Sequence, residues 1–449
     1  MSLLKSIPKV DKFINHNSFE NYSSKLIAKI AKELINQLRE DILSQKVDSF
    51  DETTLIENVI KQYESLTQPS LQKVINATGV IVHTNLGRSL INEEVFERAK
   101  TIATSYNNLE YDLQKGKRGE RYAHISKVFC ELLGCEDVLI VNNNASAVFL
   151  ILNTFAKNKE VVVSRGELVE IGGSFRVPDV MSQSGAKLHE IGTTNKTHLY
   201  DYENAVNDNT SMLMKVHKSN YSIEGFSSEV PFEQIVKIAQ EKEVIDYYDM
   251  GSGHLVDLPY NLKDDEPSVL EYMKCNPSLL SFSGDKLLGS VQAGIIVGKK
   301  ELIAKLKKNQ LLRMLRVDKL TLALLEENVK SVLLGKLEEI PTLKMLFTST
   351  EVLEQRAKQL QIKLQEHCNC QIKASQTVIG GGTTPNKKIP TIVLSLEFKN
   401  YKPNKIEKLL RGKNIIGRIE DEKFLLDFRT IDENELELIE NRIKEVIHA

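Results

Sequence analysis

At 449 residues the chain exceeds what one ordinary core supports, so two or three domains are expected. Its 59 basic and 61 acidic side chains leave a net charge of −2, which excludes a global attraction to polyanions. Any contact with nucleic acid must therefore come from a local patch. The five cysteines (Cys130, Cys135, Cys275, Cys368, Cys370) are odd in number and scattered. The Cys368/Cys370 pair lacks a zinc-spaced counterpart, which argues against a metal site and for reduced thiols in a cytoplasmic protein. No apolar run reaches a bilayer span, and MSLLKSIPKVDKF has no apolar h-region. Neither a membrane partner nor a secretory leader is expected.

Residues 1–66 lack glycine and read as a helical N-terminal domain. In SKLIAKIAKELINQLREDILSQ, helical spacing puts Leu26, Ile27, Ile30, Leu34, Leu38 and Ile42 on one face. Lys25, Lys29, Lys32 and Arg39 fall on the other, which suits either a helical contact or a surface that grips phosphates. SLTQPSLQ, with Pro69, reads as a linker.

From about Val74 the texture changes. Short β-branched runs (DVLIVN, KEVVVSRG, SMLMKVH, EVIDYYDMGSG, PSLLSFSGD, AGIIVG) alternate with helical patterns such as SAVFLILNTFAKN and FEQIVKIAQEKE. That alternation predicts an α/β fold with a mostly parallel sheet over residues 67–335. Residues 336–449 read as a smaller α/β domain holding a GGGTTP turn, the strand TIVLSLEF and a hairpin around GRIEDEKFLLDFRTI.

In such sheets ligands bind outside the carboxyl ends of the strands, so the polar residues closing each run carry the functional signal. VNNNASAVFL turns from strand to helix at Asn144, Ala145 and Ser146, where free N–H groups can hold a phosphate; such residues are also ordinary helix caps. Asp249 closes another strand and can keep a pyridine nitrogen protonated, or else form a turn. Lys286 follows 37 positions later in SFSGDKLLGS, among small residues, a setting that lowers the pKa of a lysine and suits imine chemistry. Ser283 can add a hydroxyl to the phosphate, while His217, Ser219 and Asn220 end a further strand within reach of a ring. Phosphate cup, aspartate and lysine in that order describe a pyridoxal-phosphate enzyme of aminotransferase type, with Lys286 joined to the cofactor as an imine. Arg88, Arg118, Arg121, Arg313 and Arg316 form a second group, suited to gripping an anionic substrate or to ordinary ion pairs.

Taken together, INATGVIVHTNLGRS, LEYDLQKGKRGERY, VNNNASAV, SRGELVEIGGSFRVPDVM, SFSGDKLLG, LLRMLRVDK and GRIEDEKFLLDFRT resemble the bacterial selenocysteine synthases, the L-seryl-tRNA(Sec) selenium transferases. The resemblance covers essentially the whole chain. It implies the aminotransferase type I fold, an N-terminal domain that binds tRNA, and rings of dimers with active sites built from neighbouring subunits. It further implies β-elimination of water from seryl-tRNA(Sec) to an aminoacrylyl-tRNA, then addition of selenium from selenophosphate. In that reaction Lys286 would take the seryl α-proton, and the five arginines would cradle selenophosphate. The chain departs from the family after Gly289, where Ser290 and Val291 stand in place of glycine and proline.

Two other readings compete. One is a lyase of the same fold acting on a small amino acid or a sugar amino acid; relatives of that kind lack the helical N-terminal segment present here. The other is a non-catalytic RNA-binding protein, which the intact Lys286 and Asp249 disfavour.

Overall fold

The computed structural model describes residues 2–171, 175–262, 267–383, 387–399 and 401–448. Residues 172–174 of the SRGELVEIGGSFRVPDVM motif and residues 384 and 385 of the GGGTTP turn lie outside them. The chain forms two compact units, Met1–Val74 and Ile75–Ala449.

The first unit is helical, built mainly from α1 (Ser24–Leu43) and α2 (Glu52–Thr67). Asp51 caps α2 by accepting a hydrogen bond from the Thr54 N–H at 2.8 Å. Ile27, Ile30, Ala31 and Ile35 of α1 pack with Leu55, Ile56 and Val59 of α2 and with Phe13 and Phe19. The buried stripe thus runs through Ala31 and Ile35, while the expected Leu34, Leu38 and Ile42 flank it, half-buried. Lys25, Lys29, Lys32 and Arg39 are exposed, as a helix with one apolar side requires.

The second unit is organised by a seven-stranded sheet. Its strands are β1 (Asp137–Val141), β2 (Glu160–Ser164), β3 (Lys187–Ile191), β4 (Thr210–Val216), β5 (Ile245–Gly251), β6 (Leu279–Ser283) and β7 (Gly294–Gly298). They lie in the order β1-β7-β6-β5-β4-β2-β3, and only β7 runs antiparallel to its neighbours. Helices cover both faces, so the interior strands are apolar on both sides: Ile295, Ile296 and Val297 of β7 are all fully buried. The expected mostly parallel α/β sheet is present, with six of its seven strands on the predicted runs; the edge strand β3, KLHEI, is not among them.

A second apolar core lies around a four-stranded antiparallel sheet that includes Asn369–Val378, Lys388–Glu397 and the hairpin Arg418–Glu420/Lys423–Asp427. Ile75 and Ala77 belong to this core, because Ile75–Asn76 pairs in parallel with Ile415–Ile416. Conversely, Ile340, Leu343, Leu346, Ile379 and Ile389 pack into the core of the large sheet. Sequence order and packing therefore cross between the two cores. Among the described residues no helix is long and apolar enough to cross a membrane.

Candidate active site

Four strand ends converge at the carboxyl edge of the sheet. After β1 the chain enters α3 (Asn144–Phe155), whose cap is Asn143: its side chain accepts the Ser146 N–H at 2.9 Å. The Asn144 and Ala145 amides of the first turn carry no hydrogen bond among the described residues, the arrangement that holds a phosphate. Asn144 does more than the sequence suggested. Its side-chain amide donates to Asp249 Oδ1 at 2.6 Å, across 105 residues.

Asp249 lies beside Val216 of β4 and Ser281 of β6, just before the register breaks at Gly251. Gly251 has φ +69°, and its N–H also donates to Asp249 Oδ1, at 3.1 Å. With Oδ1 doubly engaged, Oδ2 has no hydrogen-bond partner among the described residues. Burial raises the Asp249 carboxyl above the usual range, opposed by the Asn144 hydrogen bond, the Lys286 charge and the Gly251 N–H.

Lys286 is buried in the loop between β6 and β7. The Lys286 carbonyl accepts from the Gly289 N–H at 2.9 Å and from the Ser89 hydroxyl at 2.7 Å. Next to it, Asp285 pairs with Arg88 Nη1 at 2.7 Å. Arg88 itself takes φ +63°, a costly conformation for a residue with a side chain. The Gly380–Gly382 turn closes over the lysine: a Cβ at Gly382 would lie 3.4 Å from Lys286 Nζ and 3.7 Å from Ser219 Oγ. Ser219 is fully buried, and its hydroxyl has no partner among the described residues.

His217 follows β4, its Nδ1 3.1 Å from the Met250 carbonyl. A carbonyl only accepts, so Nδ1 carries the proton. Burial above all pushes the imidazole down to about 4, which keeps it neutral at physiological pH. Ser283 is buried at the end of β6.

These groups fit pyridoxal 5′-phosphate. They supply a lysine amine, a buried carboxylate with one free oxygen, a neutral imidazole, a helix start with two free amides, and unsatisfied buried atoms at Ser219 Oγ and Asn144 Oδ1. Asn220 stands apart. It is exposed and donates its amide to the Glu170 carbonyl at 2.7 Å.

The arginines divide. Arg118, Arg121 and Arg316 meet at one carboxylate, Glu110. Arg316 also pairs in antiparallel fashion with Val141, and the Asn142 N–H donates to the Leu315 carbonyl, so this cluster borders the start of α3. Arg88 sits beside the lysine loop. Arg313 is exposed and makes no ion pair among the described residues.

The family model described as L-seryl-tRNA selenium transferase matches residues 74–432. The chain belongs to this family. An L-seryl-tRNA(Sec) selenium transferase of Sulfurimonas denitrificans is 70% identical over the full length of both chains, and one of Aliarcobacter butzleri is 68% identical, again over both full lengths. Among solved structures, a D-glucosaminate-6-phosphate ammonia-lyase matches with a TM-score of 0.61 at 20% identity, covering 86% of this chain and 98% of its own. That likeness bears on the fold, which is that of the pyridoxal-phosphate enzymes of type I. Within this family frame, sequence reasoning missed Glu110, the coupling of Asn144 to Asp249 and the approach of Gly382. Only Glu110 left a signal, as a carboxylate lying just ahead of the basic KGKRGER.

Proposed function

We propose that this chain converts seryl-tRNA(Sec) to selenocysteyl-tRNA(Sec), using pyridoxal 5′-phosphate and taking selenium from selenophosphate. The observation that carries the reading is the 70% identity, end to end, with the Sulfurimonas protein of that name. Lys286 and Asp249, set at neighbouring strand ends, supply the chemistry the reaction needs.

Bound at this site, the cofactor supplies an electron sink for the charge that develops at the seryl Cα. Asp249 Oδ2 holds the proton of the ring nitrogen, with Oδ1 fixed by Asn144 and Gly251 so that the carboxylate cannot turn away. Asn144, Ala145, Ser146 and Ser283 hold the phosphate. Neutral His217 lines the ring without adding charge to it. Lys286 Nζ removes the seryl α-proton and passes a proton to the departing β-hydroxyl, which leaves as water. The selenium of selenophosphate would then bond to Cβ while a proton returns to Cα from Lys286, and water would cleave the P–Se bond to release phosphate. Arg88, Arg118, Arg121, Arg313 and Arg316 receive selenophosphate, whose oxyanion charge matches paired guanidinium groups.

The helical residues 1–66 bind the tRNA through the exposed Lys25, Lys29, Lys32 and Arg39, residues 67–335 carry the cofactor, and residues 336–449 complete the catalytic unit. The chain works in the cytoplasm as a homo-oligomer, a ring of dimers. Removing residues 1–66 is expected to abolish tRNA(Sec) binding while cofactor absorbance stays. Filter binding and a visible spectrum check this, and undiminished tRNA affinity would refute the division of labour.

Arg316→Ala is expected to raise the KM for selenophosphate by roughly 10- to 100-fold, the loss of one charge-assisted hydrogen bond. The spectral response to seryl-tRNA(Sec) should remain. The deciding experiment for the whole reading is the visible spectrum of the purified protein titrated with seryl-tRNA(Sec) and, separately, with free serine. A band that shifts only with the charged tRNA supports the proposal. A response to a small amino acid alone moves the function to a lyase.

A further inference from the structure

Glu110 makes contacts beyond those of a simple ion pair. Its Oε1 accepts from Arg121 Nε at 3.0 Å and Nη2 at 2.8 Å, and lies 3.5 Å from Arg316 Nη1. Its Oε2 accepts from Arg118 Nη2 at 3.3 Å. The three guanidinium groups pair with no other carboxylate among the described residues, so one negative charge serves three positive ones. These arginines lower the Glu110 carboxyl below its usual range, Arg121 foremost. The cluster is therefore held together yet left short of about two negative charges.

Beside it, the Tyr122 hydroxyl is buried and has no hydrogen-bond partner among the described residues; it feels the charges of Arg121, Arg316 and Glu110. A buried donor without a partner, next to surplus positive charge, points to an anion. The backbone under Glu110 is pinned: the Gly119 N–H donates to its carbonyl and the Tyr111 N–H to that of Asn108, both at 3.0 Å. The side chain, by contrast, is 30% exposed and can rotate toward water without opening a core.

We propose that Glu110 is the built-in occupant of the oxyanion site, a specificity-determining residue that aligns Arg118, Arg121 and Arg316 and yields its place only to a dianion. The inference rests on the assignment of these arginines to selenophosphate. A monoanion offers the cluster one charge, which Glu110 already supplies without loss of translational freedom, so it gains nothing by entering. A dianion with three terminal oxygens offers twice the charge and enough acceptors for the three guanidinium groups and Tyr122. Glu110 thus acts as a threshold that excludes acetate, formate and other carboxylates.

The test is calorimetric titration of the cofactor-loaded, full-length protein with inorganic phosphate at slightly alkaline pH, and with acetate. The wild type is expected to bind phosphate and ignore acetate. Glu110→Gln and Glu110→Ala should bind phosphate roughly tenfold more tightly, as removal of one competing charge implies, and should now bind acetate in competition with phosphate. Adding Arg316→Ala should cancel both gains. Variants that fold, shown by an unchanged visible spectrum, but bind phosphate no better or still exclude acetate would overturn the inference alone. Wild-type binding of phosphate that Arg316→Ala leaves intact, or no binding at all, would remove the oxyanion assignment and this inference with it.

Discussion

Replacing Lys286 with alanine is expected to abolish the visible absorption of the lysine-bound cofactor and to cut turnover by about 10⁴-fold or more, while tRNA(Sec) binding stays near wild-type strength. In the proposed reaction the amine both anchors the cofactor and moves the proton at Cα, so one substitution removes two functions. The fold should tolerate it. Within the loop, the Lys286 contacts with Ser89 and Gly289 run through the backbone carbonyl, and the neighbouring Arg88–Asp285 pair remains. Absorbance, steady-state selenium incorporation and tRNA binding on one preparation check the claim. Substantial turnover in the variant would sink the assignment of Lys286.

Asp249→Asn carries the second large effect, with opposite consequences for activity and stability. An amide cannot hold the ring nitrogen's proton, and losing this preorganised charge should lower turnover by about 10³-fold. Stability responds to a different property. Burial raises the folded-state pKa of Asp249, whereas in the unfolded chain it ionises near 4. Between those two values the unfolded state releases its proton first, so raising the pH through that window favours unfolding. Above the window the cost is fully present. The cofactor-free variant, which never ionises there, should therefore unfold at the same temperature as the wild type or higher at neutral pH. The wild type should lose stability relative to the variant as the pH rises from about 4 through the folded-state pKa of Asp249. Thermal melts across pH measure both halves, and a variant that melts well below the wild type at neutral pH would contradict the account.

Much of this arrangement was legible because strands buried on both faces announce themselves. DVLIV, EVVVS and GIIVG leave little choice of structure, and the polar residue closing each parallel run marks the sheet's active edge. Lys286 and Asp249 stood out only as members of an ordered set with the helix start at Asn144, since either position alone also suits an ordinary loop or turn. The helical face of α1 was legible to within a residue or two, and its centre moved to Ala31 and Ile35 only because α2 packs there.

What the sequence hid are contacts between distant segments. Asn144 looked like a phosphate ligand, and nothing local indicated that its side chain would reach across to Asp249. Gly382 looked like part of a turn, and only the packing of that turn on Val80 and Val82 carries it to the lysine. The arginines were visible one by one. Their sorting into three around Glu110, one beside the lysine loop and one exposed is a property of the folded chain.

The wide spacing of these partners has a consequence for how the protein comes into being. Arg88 meets Asp285 across 197 residues, Asn144 meets Asp249 across 105, and the turn over Lys286 comes from residues 380–382. No stretch of chain short enough to fold early contains a complete site. Closing such long loops is entropically late, and topologies dominated by them fold slowly. A growing chain on the ribosome therefore has no enclosed lysine pocket until residue 382 has emerged and docked. Synthesis and refolding both end, rather than begin, with competence for the cofactor.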